Sequence, residues 1–304
     1  SSPPPPARPA AAPCESGAGR LVGFLATDED DAPVDGEYSS CRVGSETTML
    51  RWRTITAILV APVILAGILA GEWAILALAL VVVGISAYEL SRALEPLPFP
   101  AALVAGVAPI LLSIPFGILG ILAGALLSFP WALLWLAGRS DVRTLRAILA
   151  ILLMAVWVGV PMAHLGLLAP LEAGTFLVLV AVVGPWISDA GAYFAGRFFG
   201  RRQLFPTLSP KKTVEGGLGG LLLTTAVVAP FAYSLLGFDP VKAVILGAAV
   251  SVASQAGDLF ESTLKRILDI KDLGRVLPGH GGMLDRIDSL LFTAPAVYYI
   301  SLLA

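Results

Sequence analysis

Charge is scarce in this sequence. Only 14% of its 304 residues are charged and 57% are hydrophobic, whereas soluble domains carry roughly 25% and about 45–50% respectively. That balance excludes an ordinary soluble domain. Cysteine is scarcer still. Cys14 and Cys41 are the only two, both near the amino terminus. They match no zinc spacing and read as incidental thiols. The amino terminus also lacks the basic start and apolar core of a signal peptide. No internal repeat stands out. The net charge of −2 says little, because the charge is unevenly distributed.

What is present is a succession of apolar runs, each of the length that a bilayer requires. They predict an all-α, polytopic integral membrane protein of about nine transmembrane helices. The spans are roughly 54–70, 73–92, 100–116, 118–137, 145–169, 173–196, 216–237, 241–261 and 287–304. The third and fourth are separated by little more than Gly117, which suits either a tight hairpin or one broken element. Prolines 62, 109, 130, 161, 185 and 230 fall inside spans. They are read as kinks rather than ends, because neighbouring helices can satisfy the freed carbonyls. Residues 1–50 read as a disordered tail, proline-rich at SSPPPPARPAAAP and acidic at ATDEDDAPVDGE. Residues 51–172 form the amino-terminal helices. Residues 173–304 form a catalytic region with polar loops at 197–215 and 262–286.

Basic residues fix the expected orientation. Arg51, Arg53, Arg92, Arg139, Arg143, Arg146, Arg197, Arg201, Arg202, Lys211, Lys212, Lys265, Arg266, Lys271, Arg275 and Arg286 all fall on one side if nine spans are right. The opposite side has only Lys242. The amino terminus and both polar loops are therefore expected on the cytoplasmic face.

The densest polar segment runs from Ser262 to Asp288, STLKRILDIKDLGRVLPGHGGMLDRID. On a helix Asp258, Glu261, Ser262 and Lys265 share a face. DRID places Asp285 and Asp288 on one face of the next span's first turn. The intervening loop leaves and re-enters on one side, so Asp258 and Asp285 are expected to converge near the membrane surface. Carboxylates at such a depth are costly unless paired, hydrated or metal-bound, and facing acidic oxygens suit Mg²⁺. The plainer alternative is that the acids only pair with Lys265, Arg266 and Arg286. Gly281 and Gly282 let backbone approach a phosphate. His280 is favoured as an anion contact over a proton donor. His164, among apolar residues, reads as structural.

A second constellation is ISDAGAYFAGRFFGRRQLFPTLSPKKTVEGG. Asp189 is an acid inside a span, beside Ser188. A basic turn at Ser209-Pro-Lys211-Lys212-Thr213 precedes the seventh span, whose first N–H groups with the two lysines would make a phosphate site. An unselective anchor for anionic lipid remains the alternative.

These residues resemble the phosphatidate cytidylyltransferase (CDP-diacylglycerol synthase) family. The resemblance rests on Ser262, Lys265-Arg266, Lys271-Asp272, Gly274, Pro278, His280-Gly281-Gly282 and Asp285-Arg286-x-Asp288. Ser188-Asp189, Ser209 to Gly216 and Gly257-Asp258-Leu259-x-Glu261-Ser262 add to it. It covers roughly residues 185–290 with motifs and leaves the tail outside. It implies that CTP and phosphatidic acid give CDP-diacylglycerol and pyrophosphate with Mg²⁺, in a bacterial inner membrane, with membrane lipid as surroundings. A homodimer is implied as well, and no nucleic acid partner is expected. Asp258 and Asp285 are the first choice as metal ligands, with room for a second cation, and Asp189 orients a ligand or binds metal through water. Lys211, Lys212, Lys265, Arg266, Lys271 and Arg286 would hold phosphates. Glu261, Ser262, Asp272, Asp288, Thr213 and Ser209 are expected at the substrate.

Three other readings compete. A CDP-alcohol transferase would carry a paired Asp-Gly and Gly-x-x-x-Asp pattern, which is missing. A transporter would spread its acids through the midplane, whereas these crowd one edge. A lipid scaffold is the third.

Overall fold

The computed structural model describes residues 61–303, apart from 95–96, 139–140, 207, 275, 277–280 and the side chain of Pro210. The tail expected over 1–50 lies outside the described residues. So do His280, Pro278, Gly279 and Arg275.

The described chain is mostly helical, with one small hairpin and a polar loop between α8 and α9. Helix α1 covers 61–69, followed by α2 (Glu72–Ala93) and α3 (Phe99–Trp135). Helix α4 (Val142–Leu153) continues through a π-helical turn (Met154–Gly159) into α5 (Val160–Leu168). Helix α6 (Gly174–Phe199) leads into strands β1 (Gln203–Phe205) and β2 (Ser209–Thr213). Helices α7 (Val214–Leu235), α8 (Pro240–Ile267), α9 (Leu284–Ile287) and α10 (Leu290–Ser301) complete the chain.

The helix starts follow from local chemistry. Asp239 caps α8, its Oδ1 accepting from the N–H groups of Val241 and Lys242 at 2.9 and 3.1 Å, with Pro240 in the first helical position. Thr213 caps α7 by accepting from the N–H of Gly216 at 3.1 Å. Asp141 caps α4, and the hydroxyl and N–H of Thr144 hold its carboxyl below the usual range. Lys265 and Arg266 lie in the last turn of α8, where the helix dipole favours cations.

Gly117 decides the shape of α3. Its φ of 58° and ψ of −133° are not helical. The indole N–H of Trp131 donates to the carbonyl of Ala101 at 3.2 Å. On a straight helix those residues would stand about 45 Å apart at 1.5 Å per residue. Helix α3 is therefore a tight hairpin of two antiparallel arms, 99–116 and 118–135. Small residues let the arms touch: a Cβ at Gly124 would fall 2.5 Å from Pro109.

Among the described residues, six helices are long and apolar enough to cross a membrane, and α3 is folded into two arms. Large apolar side chains face outward along them, among them Leu126, Leu222 and Phe198, each at least 70% exposed. Such surfaces need lipid around them. The protein is a membrane protein. The nine expected spans are not all met. The first is described only from residue 61, and the ninth is broken into α9 and α10 at Asp288 and Ser289. The prolines at 109, 130, 185 and 230 lie inside helices rather than ending them, and Pro161 lies in the first turn of α5.

Helices α6, α7, α8 and α10 pack together as a bundle. Glycine sets how closely. A Cβ on Gly257 would fall 2.5 Å from the carbonyl oxygen of Asp288, so α8 meets the start of the last rod backbone to backbone. The hydroxyl of Ser289 donates to the carbonyl of Ser254 at 3.1 Å, and that of Thr293 to Ala181 at 2.8 Å. Trp157, Phe260 and Phe292 stack in sequence, with centroids 5.2 and 5.8 Å apart, and so join the π-helical turn to α8 and α10.

Candidate active site

The helical face read from the sequence is built. Asp258, Glu261 and Lys265 recur along the end of α8, and the close approach at Gly257 brings Asp288 opposite. Asp258, Glu261 and Asp288 each offer a carboxylate oxygen, and these oxygens lie within 4.8 Å of one another. Glu261 is only 3% exposed. Its Oε2 pairs with Lys265 Nζ at 2.7 Å, while its buried Oε1 has no hydrogen-bond partner. A buried unpartnered carboxylate oxygen is costly. A hard divalent cation would relieve that cost, so this oxygen donor set fits Mg²⁺.

Asp285 stands next to this trio rather than within it. Its Oδ1 accepts from Lys265 Nζ at 2.8 Å and from the N–H of Leu273 at 3.2 Å. Its Oδ2 accepts from the N–H of Gly282 at 2.7 Å. Lys265 thus bridges Glu261 and Asp285. Asp285 bonds the ammonium and the loop backbone, and its carboxyl also lies within hydrogen-bonding reach of Glu261. The sequence reading put Asp258 and Asp285 first; the oxygens gathered within 4.8 Å are those of Asp258, Glu261 and Asp288, and Lys265 joins Asp285 to them.

The segment Ser209–Thr213 is a strand, not the expected turn. Strands β1 and β2 pair antiparallel, Gln203 opposite Thr213 and Phe205 opposite Ser209. The alternation of an extended chain separates the two lysines. Lys211 is exposed, while Lys212 turns inward and forms an ion pair with Asp258 Oδ2. Glu215 Oε2 accepts from the N–H groups of Arg201 and Arg202 at 3.0 and 3.2 Å, which fixes the hairpin to the first turn of α7. Thr213 is occupied as the α7 cap, and Ser209 lies half-buried at the strand's start.

The other expected residues spread around this centre. Asp189 is exposed on α6 and close enough to Asp258 and Lys212 for their charges to act on it. Ser188 is buried, its hydroxyl 2.9 Å from that of Ser251. The side-chain amide of Gln255 donates to Ser251 Oγ and to the carbonyl of Gly217 at 3.0 and 3.2 Å, so Ser188 belongs to a polar seam joining α6, α7 and α8. Ser262 donates to Asp258 Oδ1 at 3.4 Å. Arg266, Lys271, Asp272 and Arg286 are exposed. Gly281 has a φ of 81°, a conformation that favours glycine. His164 is buried, with Nδ1 2.8 Å from the Val160 carbonyl and Nε2 3.4 Å from the Tyr299 hydroxyl.

One residue escaped the sequence reading. Glu89 of α2 is 2% exposed and reaches the polar loop. Its signal was available, as a lone acid inside the span 73–92.

A family model described as the Cytidylyltransferase family matches residues 51–304. The chain is 34% identical over 217 residues to a phosphatidate cytidylyltransferase of Mycobacterium bovis, covering 67% of this chain and 71% of that one. It is 43% identical over 132 residues to one of Bacillus subtilis, covering 42% and 48% respectively. A relative of the same name from Aquifex aeolicus is 43% identical over 129 residues, again 42% and 48%. The matched segments thus span about half the length of the Bacillus and Aquifex relatives. By these matches, the chain belongs to the phosphatidate cytidylyltransferase family.

Proposed function

We propose that this protein transfers the cytidylyl group of CTP to phosphatidic acid, giving CDP-diacylglycerol and pyrophosphate for phospholipid synthesis. The observation that carries the reading is the meeting of Asp258, Glu261 and Asp288 beside Lys212 and Lys265, at the edge of an apolar bundle. In the transfer, an oxygen of the lipid phosphate forms a bond to the α-phosphorus of CTP. The bond from that phosphorus to the oxygen bridging to the β-phosphorus breaks, and pyrophosphate leaves with its electrons. The nucleophile is already anionic, so the protein's task is to bring two polyanions together.

Asp258, Glu261 and Asp288 would hold Mg²⁺, with Asp285 or Asp189 near a second cation. Bound there, the metal supplies positive charge that offsets the phosphates. Lys212 and Lys265 keep ammonium groups at the trio, and Lys211, Arg266, Lys271 and Arg286 line the approach for phosphates and the departing pyrophosphate. His280 is retained as an anion contact. The apolar helices leave the lipid able to enter sideways while CTP arrives from the water.

The two ends of α8 support a sidedness. Lys242, at its first turn, donates to the carbonyl of Ser301 at 3.0 Å, and the acids stand at its other end among most of the basic residues. That distribution supports a cytoplasmic site and amino terminus. The bacterial inner membrane and the homodimer rest on the family resemblance, and mass measurement in detergent tests the latter. The deciding assay supplies labelled CTP and phosphatidic acid to the purified protein in detergent, with and without Mg²⁺. The expected product is CDP-diacylglycerol, formed only with the metal. Folded protein that makes none refutes the reading.

A further inference from the structure

Glu89 lies in α2, far in sequence from the polar loop that it touches. Its Oε1 accepts from the N–H groups of Met283 at 2.9 Å and Val276 at 3.4 Å. Its Oε2 accepts from the N–H of Leu284 at 3.1 Å. Asp285 takes the N–H groups of Leu273 and Gly282. Between them, two carboxylates collect the backbone donors on both sides of the loop. The loop's glycines leave the room for this. A Cβ on Gly274 would fall 2.1 Å from Glu89 Cδ, and one on Gly282 2.7 Å from Glu89 Oε2.

A buried glutamate is rare unless paired, and an acid within an apolar span is costly. Among the described residues no ion pair involves Glu89. Its acceptors are matched instead by backbone donors, a charge-assisted arrangement stronger than neutral bonds. Packing α2 requires no such group, since Val83, Ala87 and Leu90 already bury an apolar face. The donors at 283 and 284 open the rod that carries Asp285, Arg286 and Asp288. A carboxylate bonded there sets where those side chains stand. Glu89 also forms part of the wall of a cavity of about 510 Å³, with Tyr88, Arg92, Asp272, Gly274 and Val276.

We propose that Glu89 is a positioning residue for the cytidylyl transfer. From the amino-terminal half it holds Val276, Met283 and Leu284 so that Asp285 reaches Lys265 and Asp288 reaches Asp258 and Glu261. The proposal rests on the transferase reading above and adds a role for α2.

The test uses the full chain in detergent, comparing Glu89→Gln and Glu89→Asp with the unmodified protein. A glutamine keeps the volume but replaces one acceptor with donors that face other donors. Glu89→Gln should speed amide hydrogen exchange over 273–284 and leave α6, α7 and α8 unchanged. It should lower kcat by about 10- to 100-fold while KM for CTP and for phosphatidic acid hold. Glu89→Asp should recover part of kcat. Unchanged kcat in Glu89→Gln overturns the proposal, and so does faster exchange throughout the bundle, which would make Glu89 a packing residue. Unmodified protein that forms no CDP-diacylglycerol removes the transferase reading instead, and loop exchange then still reports whether Glu89 holds the loop.

Discussion

Lys212, on strand β2, forms an ion pair with Asp258, on α8. It is the only ion pair among the described residues that joins the β-hairpin to the acid cluster. The hairpin is thereby part of the site, and Lys211, one residue away, faces outward.

That contrast separates the two lysines. Lys212→Ala should lower kcat/KM with CTP by at least about tenfold, as expected for loss of a fixed charge near developing phosphate charge. Lys211→Ala should change it much less. Steady-state kinetics of the two single variants decide, and equal losses would return both to a shared anchor for anionic lipid.

The acid trio predicts how metal dependence breaks. Glu261→Gln and Asp288→Asn should each reduce turnover by about 10²–10³-fold and raise the Mg²⁺ concentration needed for half-maximal rate. Asp285→Asn should also cut turnover, yet leave that Mg²⁺ requirement closer to normal, because its oxygens bond Lys265 and the loop backbone. A Mg²⁺ titration of each variant reads the difference, and an unaltered requirement in Glu261→Gln would remove that residue from the metal.

Gly257→Ala places a methyl group 2.5 Å from the Asp288 carbonyl oxygen. Backbone cannot yield as a side-chain tip can, so α8 must move away from the last rod. The expected cost is about 1–3 kcal/mol, read as a lower unfolding midpoint in detergent. Activity should fall as well, because Asp258 and Asp288 separate. An unchanged midpoint would contradict the close contact.

Removing residues 1–48 should leave activity intact, since the family match begins at residue 51. The measurement is CDP-diacylglycerol formation by the shortened protein, and a folded but inactive product would give the tail a role.

Much of this was legible in the sequence because it depends on short-range periodicity. The three- and four-residue spacing put Asp258, Glu261 and Lys265 on one face, and the apolar runs located the helices. Other features depend on contacts between distant segments. Which acid of DRID turns inward is set by the backbone contact at Gly257, so Asp288 joins the trio and Asp285 serves the loop. The extended form of Ser209–Thr213 comes from pairing with Gln203–Phe205, and that pairing turns one lysine inward. Ser188 carries the family pattern, but its hydroxyl meets Ser251. Glu89 was visible as a lone acid, and nothing local linked it to a loop so far along the chain.

The reversal at Gly117 leaves both feet of α3 at the same end of the bundle, near Arg92 and the polar loop. The tip of this arm must then project from the far surface. A short epitope grafted there would put the proposed orientation to the test without disturbing the acids: antibody should reach it on intact cells only if the acid end of α8 faces the cytoplasm.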